Sequence, residues 1–342
     1  MTGERTRVAM GGFGAWGQMH ARAIGAIDGA EVAAIFCHGE RSETAAAELF
    51  PDVPRYRDYD AMLAAGGFDV VSVAAPNHVH SRFAVAALEA GAHVFLEKPM
   101  GLTLAECDAV IEAARRTGRQ VTLDHELRVS GQWGAIRDVV EKGEVGRVRY
   151  QNFTLFRHPF RPGSGGWRHD PARVGSWILE EMVHFYDLVL WYARENGLPA
   201  QVRAFGEPAG EGLVSNFGTL LEWSDGSTAF LTQTLAGFEH HTMLELAGTD
   251  GAVRTWWSGA VARTLTPDYE LKVLRRGRTE AETVAIPKSG EVFELEENLR
   301  RAFAAFGENR SPLPPEEAKQ SIAVCLAAEE AHASGRPVAP MF

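Results

Sequence analysis

Through its first third the chain alternates short, unbroken apolar runs with longer segments of helical composition. Val8-Ala9-Met10 runs into Gly11-Gly12-Phe13-Gly14-Ala15-Trp16-Gly17 and then into a helix over Gln18 to Ile27. Apolar strands follow at Glu31 to Phe36, Phe68 to Ala75, His93 to Leu96 and Gln120 to Leu123. Helices are predicted between them at Ser42 to Phe50, Tyr59 to Ala65, His80 to Ala90 and Leu104 to Thr117. Strands without polar alternation are buried on both faces, which predicts a parallel sheet sandwiched by the intervening helices. After Leu123 the period changes. Trp133 to Lys142 reads as an amphipathic helix, and Arg147 to Phe156, Val202 to Phe205, Gly218 to Trp223, Ser227 to Leu235, Thr242 to Ala247 and Ala252 to Trp257 alternate as strands. Ser224-Asp225-Gly226 and Gly248-Thr249-Asp250-Gly251 supply turns between them, so this sheet is antiparallel. Trp177 to Tyr192 reads as one apolar helix inserted in the sheet domain, and helices at Phe293 to Phe306 and Glu316 to Ser334 follow. The change of period places a domain boundary near residue 124, with 1–124 as a parallel α/β domain and 125–342 as a second domain.

Composition narrows the possibilities. At 342 residues the chain exceeds what one core usually supports, in keeping with two domains. Lys and Arg total 34 against 45 Asp and Glu, a net charge of −11 with no basic run, which disfavours a nucleic-acid partner. The segment Met1 to Met10 is polar and no apolar stretch reaches membrane length, so neither a signal peptide nor a membrane partner is expected. Cys37, Cys107 and Cys325 are scattered, which suits a reducing cytoplasm and argues against a disulfide framework or a thiolate metal site.

Gly12, Gly14 and Gly17 form G-x-G-x-x-G directly after a strand and at the start of a helix. There the first glycine permits a tight turn, the second lets a pyrophosphate approach, and the third allows close helix–strand packing. Gly12, Phe13, Gly14, Ala15, Trp16 and Gly17 are therefore candidate contacts for a dinucleotide. No acid stands at the tip of the second strand, where a ribose acceptor is expected; the strand runs into Cys37-His38-Gly39-Glu40-Arg41. Glu40 reaching back would suit NAD, whereas His38 and Arg41 would suit the 2′-phosphate of NADP, so both cofactors stay open. Cys37, His38 and Arg41 complete the candidates at this tip.

Two further segments, Ala75-Pro76-Asn77-His78-Val79-His80 and Val94-Phe95-Leu96-Glu97-Lys98-Pro99, stand at matching spacings. Together with the glycine turn they resemble the Gfo/Idh/MocA family, named for glucose–fructose oxidoreductase and inositol dehydrogenase. The resemblance implies an N-terminal Rossmann domain and a C-terminal α+β domain with a large, mostly antiparallel open sheet that often forms a homodimer or homotetramer face. It also implies that Pro76, Asn77, His80 and Glu97 border the cofactor and that Lys98 reaches the reacting hydroxyl. Independently, a Glu-Lys pair at the carboxyl end of a buried parallel strand sits where open α/β sheets bind ligands.

On the apolar helix, Glu180, His184 and Asp187 fall at i, i+4 and i+7, one polar stripe. Ionisable groups on so apolar a helix need partners or a wet cleft, and Asp187 and Glu181 suit a structural network. Family members carry an Asp four residues before a His that accepts the proton; His184 matches, and Glu180 replaces the Asp with a side chain one methylene longer. Upstream, Gly163 to Asp170 reads as a loop, and the resemblance places Trp167 and Arg168 near cofactor and substrate, with Arg157 a further substrate candidate. No metal set emerges. The expected activity is NAD(P)-dependent interconversion of a secondary alcohol of a sugar, inositol or related polyol with its ketone. In it His184 is the base, Lys98 stabilises the oxygen, and Glu180 orients the substrate. An NAD-dependent glycoside hydrolase with transient oxidation and a non-catalytic nucleotide sensor are the alternatives.

Overall fold

The computed structural model describes residues 5–210 and 212–342, so the first four residues of the polar N-terminal stretch lie outside it. The chain divides into two units. One comprises the described residues up to Asp124 with Ala172–Gly175 and Leu295–Lys319, the other His125–Pro171, Ser176–Glu294 and Gln320–Phe342.

In the first unit the elements run β1 (Thr6–Met10), α1 (Ala15–Ala26), β2 (Ala30–Phe36), α2 (Glu40–Leu49), β3 (Arg55–Tyr56), α3 (Tyr59–Ala65), β4 (Val70–Val73), α4 (His80–Glu89), β5 (His93–Leu96), α5 (Leu104–Thr117) and β6 (Val121–Leu123). The strands form a six-stranded sheet in the order β3-β2-β1-β4-β5-β6, every pair parallel. The order reverses between β1 and β4, which opens a crevice at their carboxyl ends. Local signals set the helix ends. Thr103 Oγ1 accepts the Glu106 amide at 3.2 Å at the start of α5, and Gly118 ends it with a φ of 68°. The core joins Val8, Met10, Ile24, Ile35 and Phe95 to Leu295, Leu299 and Phe303, so part of a late helix completes the N-terminal core.

The remaining elements are α6 (Trp133–Glu141), β7 (Val148–Phe156), α7 (Pro171–Val174), α8 (Val183–Tyr192), β8 (Gln201–Pro208), β9 (Val214–Glu222), β10 (Thr228–Thr234), β11 (His240–Gly248), β12 (Ala252–Gly259), β13 (Asp268–Leu274), β14 (Glu282–Thr283), α9 (Glu291–Gly307) and α10 (Pro315–Ser334). The strands make one sheet in the order β14-β13-β12-β11-β7-β10-β9-β8, antiparallel except for β7 with β10. Alternation splits its faces. Phe153, Leu155, Leu231, Leu244 and Val273 are buried, while Tyr150, Phe205, Phe230 and Met243 are exposed. The helix α8 lies on the buried face, where Gln151 Nε2 donates to Val189 O at 3.1 Å and the Tyr186 hydroxyl meets Thr219 Oγ1 at 3.0 Å. The fold class is the expected one, but β3, β13 and β14 lie beyond the expected strands, Leu295–Lys319 belongs to the first unit rather than the second domain, and the single helix expected over Trp177 to Tyr192 is a π-helical turn, Ile178–Met182, leading into α8. Such a turn shifts the helical phase, so Glu180 and His184 do not share an ideal α-helical stripe.

Candidate active site

Each glycine of the turn plays a different part. Gly12 has a φ of 144°, and a Cβ there would stand 2.4 Å from Ala74 O. A Cβ on Gly17 would stand 2.3 Å from Gly12 O, whereas one on Gly14 would meet nothing within 4 Å. The turn thus needs glycine at both ends for its own packing and leaves open space at its middle. Gly14 is the N-cap of α1 with no side-chain cap, so the exposed first turn offers amide donors and a positive dipole end to an anion. These residues fit a dinucleotide pyrophosphate. Phe13 points the other way, buried in an edge-to-face contact with Phe50. At the end of β2 the Cys37 side chain is sealed in the core and burial pushes its thiol upward, while His38 and Arg41 are exposed.

At the carboxyl end of β5, Glu97 is buried and Lys98 half-buried. Two donors from α1 converge on Glu97 Oε1: the Trp16 indole N–H, and His20 Nε2 at 2.9 Å. The other ring nitrogen of His20 meets Ser72 Oγ at 2.9 Å. Asp124, just past β6, accepts from Asn298 Nδ2 at 2.8 Å and lies 3.8 Å from His20 Nε2. Trp16 and Glu97 are thus fastened to each other. His80 ties two further segments together, Nδ1 lying 2.7 Å from Pro99 O and Nε2 2.8 Å from Ala75 O. Asn77 donates to Val174 O at 3.0 Å.

In the second unit, Arg168 Nε lies 2.7 Å from Glu180 Oε1, with its guanidinium over the Trp167 ring at 4.6 Å. Trp167 is buried and backs onto Gly163. Arg157 pairs with Glu181 and stacks on Phe160 at 3.9 Å. His184 Nδ1 faces Glu126 Oε2 at 3.5 Å. Asp187 takes Arg128 in a two-pronged pair at 2.7 and 2.8 Å; burial raises its carboxyl, but Arg128 and then His125 outweigh that and hold it low. Glu126, Glu181, His184, His240 and Glu294 line a cavity of about 40 Å³, room for a few waters rather than a sugar ring. Sequence reasoning passed over His20, Asp124, Glu126 and Glu294. Only His20 carried a signal, one helical turn beyond Trp16 on the same face.

A strand order of 3-2-1-4-5-6, with an open glycine turn at the switch point, defines a dinucleotide-binding protein of the Rossmann class. Residues 6–125 match the family described as oxidoreductases with an NAD-binding Rossmann fold, and residues 133–254 match the GFO/IDH/MocA C-terminal domain. The chain belongs to the Gfo/Idh/MocA family. It is 30% identical to 1,5-anhydro-D-fructose reductase of Ensifer adhaerens over 54% of this chain and 56% of that protein. With D-apiose dehydrogenase of Paraburkholderia graminis it shares 27% over 84% and 74%. The chain spans about a third to just over half the length of several curated relatives it matches. In fold it resembles aldose-aldose oxidoreductase of Caulobacter crescentus, with a TM-score of 0.82 and 19% identity over 98% of this chain and 99% of that one. The apo scyllo-inositol dehydrogenase of Lactobacillus casei gives 0.80 and 20% over 99% of both. No described helix is long and apolar enough to cross a membrane.

Proposed function

We propose that the chain is an NAD(P)-dependent oxidoreductase interconverting a secondary alcohol of a sugar, inositol or related polyol with its ketone. What carries this reading is that a chain of this family has an ammonium group directly after β5 and, on α8, an imidazole whose Nδ1 faces a buried carboxylate. The names of the relatives, among them inositol 2-dehydrogenase and D-glucoside 3-dehydrogenase, support the substrate class.

The bound nicotinamide supplies the hydride acceptor or donor. Glu126 orients His184 through Nδ1, which leaves Nε2 to take the hydroxyl proton. Lys98 is the cation that would stabilise negative charge developing on the substrate oxygen. Glu180, held by Arg168, orients neighbouring hydroxyls as an acceptor. Gly12 to Gly17 would hold the dinucleotide and His38 and Arg41 would lie at its ribose, with NAD and NADP both open. The apolar outer face of the second sheet, with Tyr150, Phe205, Phe230 and Met243 exposed, supports a homodimer or homotetramer. Three free cysteines, all buried, support a cytoplasmic enzyme.

The test is turnover of Lys98→Ala and His184→Ala on an identified polyol. Each is expected to lose about 10² or more in kcat with nucleotide affinity little changed. Wild-type turnover in both would overturn the assignment.

A further inference from the structure

Glu97 and Asp124 are two carboxyls sealed in the first unit, 5% and 1% exposed, and His20 touches both. Their ligand atoms lie within 4.8 Å of one another, the only such grouping among the described residues. It is not built as a cation site. The 2.9 Å from His20 Nε2 to Glu97 Oε1 is a hydrogen-bond length, shorter than the roughly 3.3 Å between two ligand atoms of a tetrahedral zinc. The Trp16 indole already occupies the same oxygen.

Two carboxylates this close and this dry cannot both ionise. The donors decide between them. Glu97 receives Trp16 and His20, groups that favour an anion, whereas Asp124 receives one amide from Asn298. We propose that the pair holds a single negative charge, seated on Glu97, and that this charge, on the residue directly before Lys98 in the chain, is its counter-ion, with Trp16 and His20 as the positioning residues that keep it there. The titration directions agree. Burial raises Glu97, but the hydrogen bond and charge of His20, then Lys98, pull it below the ordinary carboxylate range, while burial and then the Glu97 charge push Asp124 well above it. Trp16 stands in the first turn of α1, so the nucleotide-facing helix end and the lysine segment share one oxygen atom. The purpose of the device, to keep Lys98 cationic beside a reacting oxygen, rests on the function proposed above; the charge assignment does not.

The test uses the full chain without nucleotide or substrate and follows modification of Lys98 by an amine-reactive reagent, read by peptide mass spectrometry across pH. Removing the counter-ion in Glu97→Gln should speed labelling at neutral pH by about tenfold and leave the high-pH plateau unchanged. Asp124→Asn, which imitates an acid already protonated, should stay within about twofold of wild type throughout. Trp16→Phe, which keeps the ring and loses the N–H, should fall between them. Equal acceleration in Glu97→Gln and Asp124→Asn, or none in Glu97→Gln, would overturn the assignment. Acceleration at every pH would also overturn it, because that reports loosening rather than lost charge. Correct labelling without turnover of any polyol would leave the charge assignment standing and remove the proposed activity.

Discussion

Arg168 holds Glu180 through a 2.7 Å contact between Nε and Oε1, in a pair of which the carboxylate is nearly sealed and the guanidinium partly exposed. Glu180, which the resemblance sets in place of an aspartate, is therefore an oriented anion. Glu180→Asp should withdraw the carboxylate from Arg168 and lower kcat/KM by about tenfold, the cost of one charge-assisted hydrogen bond. Arg168→Lys should not restore the geometry, because an ammonium lacks the planar fork. Steady-state kinetics on the best substrate decide this, and an unchanged kcat/KM in both variants would mean that the pair is remote from chemistry.

The glycine turn separates folding from binding. Gly12→Ala and Gly17→Ala place a Cβ against backbone oxygens at 2.4 and 2.3 Å, so both should lower Tm. Gly14→Ala places one in open space at a φ of −72° and should leave Tm unchanged. It should nonetheless weaken nucleotide binding, since that space is where a pyrophosphate approaches. Thermal unfolding and nucleotide titration of the three variants together check this.

Much of this arrangement was legible beforehand. The unbroken apolar runs at Val70–Val73 and His93–Leu96 can bury both faces only in a covered parallel sheet, and glycines after a strand mark a turn wherever they fall. Less visible was β13, because Asp268, Glu270 and Lys272 alternate with Tyr269, Leu271 and Val273 and make the segment look merely polar. The π-helical turn before α8 has no compositional mark. Partnerships between residues far apart in the chain, such as Trp16 with Glu97 or Arg128 with Asp187, depend on strand order and helix docking, which local pattern does not encode. Asp187 and Glu181 turned out to pair with arginines, as apolar surroundings demand.

Two buried acids should each contribute stability that is lost as pH rises toward neutrality, against the opposite contribution of His93 and His240, whose burial lowers them. Burial raises Glu294 from 4.5 to about 7, despite hydrogen bonds from Ser130, Gly290 and Ser289, with Glu291 raising it further. Glu181, His184 and His240 also face this pocket, and Arg157 and Arg263 pair with Glu181 and Glu291. Burial likewise raises Glu329 to about 7. A carboxyl that holds its proton more tightly when folded adds stability below the unfolded value, and that contribution is lost as pH climbs to the folded one. Between about pH 4.5 and pH 7 each group should remove about 3 kcal/mol. Glu294→Gln should remove one of these contributions, so that its Tm falls less, or rises more, than that of the wild type between about pH 4.5 and pH 7. The same pH dependence of Tm in Glu294→Gln and wild type would show that Glu294 is ionised in the fold.

The most direct measurement is a panel of sugars, inositols and related polyols assayed separately with NAD and NADP, following nicotinamide absorbance. The account predicts substrate-dependent reduction of one cofactor or both, with a ketone as product in equal amount. Release of free sugar without net reduction, or tight nucleotide binding with no turnover anywhere on the panel, would contradict it.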